Sequence, residues 1–292
     1  MAILFLAGYV LFFNTAVIFQ KKYRTDTAHI KSSAYLFMML TGVLGTVYYF
    51  IMSGGSVSLD KTTFGYSLVY AFVCASSIFV SMLSFDLIDL VYRVLCAGAG
   101  GMIVPFVFEI VTGMEQFSWV RFAAVFIRVV AIILPLFFIE RTKKIGKTAF
   151  FVCAFMFLEA GASTIIPKLY GQTAAPLSNA VFCFWANVFM IPLIVMFSVL
   201  RIGVKNISSD IRCIKPKSYG YLLLNATIGN CGTLFSLASL RLLSATFYTI
   251  VSSTLSLAFT AAVSVLVFRE KQTVASYISI VLSVIAIVLY VI

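Results

Sequence analysis

Long apolar stretches, each broken off by a short polar connection, run the whole length of the sequence. Ten of them, at residues 2–20, 34–53, 66–85, 91–113, 119–139, 148–167, 177–200, 220–240, 245–268 and 274–292, come close to the ~20 residues that a helix needs to cross hydrocarbon. None alternates polar and apolar residues in the manner of a barrel strand, so the stretches are read as helices. The first of them, within MAILFLAGYVLFF, lacks the positively charged start and small-residue cleavage site of a secretion signal and is kept as a span.

The apolar pattern also repeats. Residues 79–134 align with 234–289 without a gap, bringing Ser81 onto Ser236, Ser84 onto Ser239, Leu87 onto Leu242, Glu115 onto Glu270, Ala131 onto Ala286 and Ile132 onto Ile287. Ten spans then divide into five and five, joined through the basic stretch ERTKKIGKT. An odd number per half makes the second copy enter the membrane from the opposite side. The expected fold is an all-α membrane protein of ten transmembrane helices arranged as two inverted five-helix repeats, residues 1–145 and 146–292.

Composition strengthens this reading. Hydrophobic residues make up 62% of the chain and charged residues 11%, against roughly 45–50% and ~25% in soluble domains. The net charge of +11 would suggest nucleic acid in a soluble protein; here it resolves into topology. Fifteen of the 21 lysines and arginines fall in the connections after spans 1, 5, 7 and 9. Basic connections stay in the cytoplasm, so the odd connections are expected inside and both termini outside. Five of the six cysteines lie in apolar runs with no metal-type spacing and are read as small hydrophobes.

Several segments carry a family resemblance. Glu115 followed by FSWVRFAAVFIRVVAIILPL, and Glu270 followed by VASYISIVLSVIAIVL, each place an acidic residue ahead of a final apolar helix. The spans before them hold the small-residue segments CAGAGGMIVP and VSSTLSLAFT. In these features the chain resembles, over its whole length, the ten-helix EamA-like members of the drug/metabolite transporter superfamily. FLEAGASTIIPK and LRLLSATFYTIVSSTLSLAF are also similar to the first and third helices of the four-helix small multidrug resistance proteins. The resemblance implies a transporter without an enzymatic activity, and it implies cytoplasmic termini, against the charge count.

Charged groups inside a span are costly, which makes each a candidate for function. Glu159 lies near the middle of span 6, and its counterpart in span 1 is Asn14. In the small multidrug resistance proteins the matching glutamate binds the cationic substrate or coupling protons; the alternative is a structural carboxyl tying helices together. Arg93 opens span 4 where the repeat has Tyr248, beside Tyr92, which matches Phe247. An arginine there holds a carboxylate or phosphate, or else reaches the headgroups. These six residues form the expected substrate site. Glu109 and Arg128 both become serine in the second half, at Ser264 and Ser283, and are expected to form a structural ion pair between spans 4 and 5. Pro105 removes a helical hydrogen bond from span 4 and is the candidate hinge. Asn187, Asn225 and Asn230 add hydrogen-bonding capacity if they share a cavity.

No phosphate-cradling glycine loop supports direct use of ATP, and a single histidine argues against a histidine-based metal site. Neither a cofactor nor nucleic acid is expected. The sequence reads as a multi-pass protein of the cell membrane, a secondary transporter whose partners are lipid, a small polar metabolite and a coupling proton or ion. Glu159 and Arg93 together favour an amino acid or similar zwitterion. The alternatives are a nucleotide-sugar or sugar-phosphate exchanger, a cation or drug exporter, and a membrane scaffold that transports nothing.

Overall fold

A computed structural model describes residues 1–30, 32–87, 90–134, 147–173, 178–203, 210, 213–266 and 274–292, with their side chains except those at 78, 81–94, 201, 260, 263–266 and 276. Among the described residues ten helices run in chain order: α1 Ala2–Asp26, α2 Ser33–Met52, α3 Lys61–Leu87, α4 Leu90–Val111, α5 Trp119–Ile133, α6 Lys147–Gly171, α7 Asn179–Ile202, α8 Pro216–Leu242, α9 Ala245–Leu266 and α10 Val274–Val291. Each matches one expected span, and among the described residues there is no strand. Five of them (α1, α2, α6, α7 and α8) are long and apolar enough to cross a membrane.

The ends of these helices follow local chemistry. The α2 helix stops at Gly54 and Gly55, with φ of 68° and 76°, where other residues would be strained. Gly113 and Gly203, at 71° and 85°, follow the ends of α4 and α7 in the same way. At the start of α7 the Ser178 hydroxyl accepts from the Val181 N–H at 3.3 Å, and before α3 the Asp60 carboxylate accepts from the Thr63 N–H at 3.0 Å. Hydrogen bonding to Thr63 holds the Asp60 carboxyl below its ordinary range.

The chain divides into two compact units that do not coincide with the sequence repeats. The first comprises residues 1–79 and 169–238, the second 80–168 and 239–292, so each draws helices from both halves of the sequence.

In the first unit α2 packs along α7, its counterpart in the second half. An aromatic core forms at one end, where the Tyr170 and Phe182 rings stack at 4.5 Å beside Tyr49 and Leu237. Asn225 of α8 ties its helix to α1 by donating from Nδ2 to the Ala16 carbonyl at 2.7 Å. Among the connections, Asp210 Oδ2 accepts from the Ser32 hydroxyl at 2.6 Å and the Ser32 N–H at 3.2 Å.

In the second unit α5 packs along α10 and α4 against α9, again position for position between the halves. Its core gathers Met102, Phe106, Val125, Ile250 and Tyr290. A close approach joins α4 to α6: a Cβ on Gly100 would overlap the Phe157 carbonyl, and one on Gly161 would overlap the Val104 side chain. Gly100 and Gly161 let the two helices approach this closely, because no side chain larger than hydrogen fits. Large apolar side chains such as Ile3, Phe72, Phe126, Phe150, Phe151 and Val281 are exposed, an apolar exterior suited to lipid.

Candidate functional site

The first unit contains a half-open cavity of about 150 Å³ between α2, α3, α7 and α8. It surrounds residues near the middle of α3, α7 and α8. Polar groups reach it from Tyr49 on α2, Tyr70 on α3, Asn187 on α7, and Asn230 and Thr233 on α8; Met190 supplies apolar wall. None of its lining residues carries a formal charge.

These groups are partly organised by one another. The Tyr49 hydroxyl donates to Asn230 Oδ1 at 3.1 Å, which fixes the carboxamide's orientation and leaves Asn230 Nδ2 buried without a hydrogen-bond partner. Gly45 makes room for the pair of amides. A Cβ there would lie 2.9 Å from Asn187 Nδ2 and 3.1 Å from Asn230 Nδ2. A buried amide nitrogen without a partner costs about 1–3 kcal/mol, so this cluster is built to donate a hydrogen bond to a group from elsewhere.

The expected site residues are distributed differently. Asn14 is buried in the first unit but satisfied within its own helix, donating from Nδ2 to the Val10 carbonyl at 2.7 Å. Glu159 lies on α6 in the second unit, half-buried, two residues from Gly161 and its tight crossing with α4. The side chains of Tyr92 and Arg93 lie outside the described residues. Phe247 stacks on Tyr290 with ring centroids 5.8 Å apart, and its ring is used in core packing. Tyr248 is buried on α9. Pro105 sits inside α4, which continues through it.

The ion pair expected between Glu109 and Arg128 is not formed. Glu109, 1% exposed, instead caps the start of α9: its carboxylate accepts from the Ala245 N–H at 2.5 Å, the Thr246 N–H at 3.2 Å and the Thr246 hydroxyl at 2.6 Å. The positive end of the helix dipole serves as its counter-charge. Arg128, 2% exposed, donates to the hydroxyls of Ser283 and, at 3.0 Å, Ser253. Its Nε is left without a partner.

Lys168 was not singled out from the sequence because it stands at the end of an apolar run, where a lysine ordinarily reaches water. It is 8% exposed and donates from Nζ to the Leu243 carbonyl at 2.5 Å. Together Lys168 and Glu109 cap both sides of the short turn between α8 and α9. Glu115 completes a second polar group, accepting from the Tyr290 hydroxyl at 2.7 Å and pairing with Arg121 at 3.6 Å. Tyr49, Tyr70 and Thr233 also escaped the sequence reading. In a run apolar on every side, a tyrosine or threonine gives no sign of which way it faces.

No protein-family model and no curated protein sequence matches the chain. Twenty-eight chains of solved structure do match. One, described as "Crystal structure of protein", superposes with a TM-score of 0.70 over 99% of this chain and 95% of its own length, at 11% identity. The fold is therefore one that other solved proteins share.

Proposed function

We propose that the chain is a secondary transporter carrying a small polar metabolite across a membrane by alternating access, with ten transmembrane helices forming two inverted five-helix repeats. The observation that carries this reading is the cavity of hydrogen-bonding groups around Tyr49, Asn187 and Asn230, set among helices whose exteriors are apolar. Unpaired polar groups are expensive in hydrocarbon and recur where a solute passes. A scaffold has no use for such a cavity.

Contacts between counterparts support the inverted repeat. Arg128 donates to Ser283, the residue 155 positions later that the alignment places opposite it. When a residue touches its own symmetry mate, both lie close to the axis relating the copies. The packing of α2 on α7 and of α5 on α10 follows the same logic.

Glu159 is the candidate for coupling. A carboxyl group in the middle of a helix, with no end near enough for it to reach water, suits reversible protonation or the binding of a cationic group such as the amine of an amino acid. The test is counterflow in proteoliposomes with panels of amino acids, sugar phosphates, organic cations and neutral amides. Saturable movement of one class, lost or uncoupled from the proton gradient in Glu159→Gln, is expected. If no class moves, or Glu159→Gln behaves as the parent in every respect, the reading fails.

A further inference from the structure

We infer that the cavity of the first unit is a charge-free recognition site for a carboxamide-type group, whether the cargo is a simple amide or urea or a larger metabolite ending in one. The inference rests on the transporter reading for its biological use, but not for its chemistry.

Size comes first. A cavity of about 150 Å³ is of the order that holds a benzene-sized guest, so the part of the cargo seated in it has on the order of six non-hydrogen atoms.

Charge comes next. No lining residue is an aspartate, glutamate, lysine, arginine or histidine: the polar groups are phenols, carboxamides, a hydroxyl and thiols. An anion or cation entering would surrender its hydration without meeting a counter-charge, a loss that fixed neutral dipoles in so small a space do not offset. The site therefore discriminates against ions by the absence of charge rather than by repulsion.

Shape of the hydrogen-bonding edge selects among neutral solutes. An amide presents an N–H donor beside a carbonyl acceptor, and a carboxamide side chain meets such an edge with two parallel hydrogen bonds, as asparagine does on adenine. Asn187 and Asn230 bring their amide nitrogens to the same point beside Gly45. Because Tyr49 occupies Asn230 Oδ1, the unpartnered Nδ2 is the group that would donate to the guest's carbonyl. Asn187 and the Tyr70 hydroxyl supply donor and acceptor capacity to the rest of the guest, and Met190 and the tyrosine rings cover its apolar remainder. A hydrocarbon of equal size would leave Asn230 Nδ2 unsatisfied.

The experiment uses three solutes of nearly equal shape and different charge, butyramide, butyrate and butylammonium, measured by saturation-transfer NMR on the full chain in nanodiscs. Saturable binding of butyramide alone is expected, weakened by about tenfold or more in Asn230→Leu, which keeps the bulk and removes the amide. Gly45→Ala, which pushes a methyl group against both amide nitrogens, should weaken it likewise, whereas Gly65→Ala on the open side of α3 should not. Comparable binding of either ion, no binding of butyramide, or binding indifferent to both Asn230→Leu and Gly45→Ala would overturn the inference. Transport of a charged metabolite without amide binding would sink this proposal and leave the transporter reading intact. Amide binding in a protein that moves nothing would support the site and sink the transporter.

Discussion

Glu109 and Arg128 show how a buried charge chooses its partner. A hairpin of spans 4 and 5 puts them at comparable depth, and from sequence the simplest neutralisation is mutual. The start of α9 offers Glu109 something better, two backbone N–H groups and a hydroxyl already converging on one point. Those donors belong to a helix more than a hundred residues away in the chain, so no reading of spans 4 and 5 alone could supply them. Two consequences follow for stability in detergent. Glu109→Ala strands the N–H groups of Ala245 and Thr246 and should cost roughly 2–4 kcal/mol, with Glu109→Gln costing less, because charge-assisted bonds weaken but persist. The double variant with Arg128→Met should be additive to within about 0.5 kcal/mol, since the two groups share no partner. A coupling of several kcal/mol in that thermal-unfolding cycle would restore the ion pair. Asp60, outside the spans, gives a prediction in pH. Its carboxyl is held below the ordinary range by Thr63, so the cap on α3 is fully formed above the unfolded value and is lost as pH falls through the lower, folded one. Protection of the Thr63 amide from hydrogen exchange, relative to its intrinsic rate, should persist down to the ordinary carboxylate range and fall only below it; protection lost above that range would contradict the assignment.

Helices were the most legible feature of the sequence, for a reason particular to membranes. A stretch must be about twenty residues long and apolar to cross, so length alone identifies it. Facing was not legible. Apart from α5, whose apolar residues gather on one side, these helices are apolar all round, and the periodicity that points a soluble helix toward its core is weak in them. Asn187, Asn225 and Asn230 look alike in sequence, yet Asn225 ties α8 to α1 while the other two border the cavity. Small residues were the partial exception. A run such as CAGAGG suits a close neighbour without naming it, and Gly100 with Gly161 identifies that neighbour as α6. The contrast between glycines is testable at this scale. A methyl on Gly100 meets the Phe157 backbone, which has nowhere to go, so Gly100→Ala should destabilise by about 2 kcal/mol or more. On α3, Gly65 faces open space within 4 Å, and Gly65→Ala should leave stability unchanged or raise it by about 0.4–1 kcal/mol through the unfolded state. Equal thermal midpoints for these two variants would rule out the crossing.

At the scale of the whole molecule, charge and connectivity lead to separate experiments. The concentration of lysine and arginine in the odd connections predicts that the termini lie outside, and a reporter at residue 292 that fluoresces only in the cytoplasm should then stay dark. Fluorescence there would reverse the orientation while leaving the helices as they are. Connectivity makes the stronger demand. Because each compact unit is assembled from segments of both sequence halves, neither 1–145 nor 146–292 contains a complete one. In the first unit, α2 without α7 loses the helix it packs along, and the aromatic core loses Tyr170 and Phe182 together. In the second, α5 without α10 loses the partner of Arg128 and of the Ala131 carbonyl, to which the Ser279 hydroxyl donates at 2.5 Å. Either fragment expressed alone should therefore be degraded or aggregate, although each contains five helices. Expressed together they should assemble, since the missing covalent link supplies only effective concentration. Size-exclusion of the separate and combined fragments decides the matter: a monodisperse, cooperatively unfolding 1–145 fragment would mean that the sequence repeat, rather than the interleaved unit, is what folds.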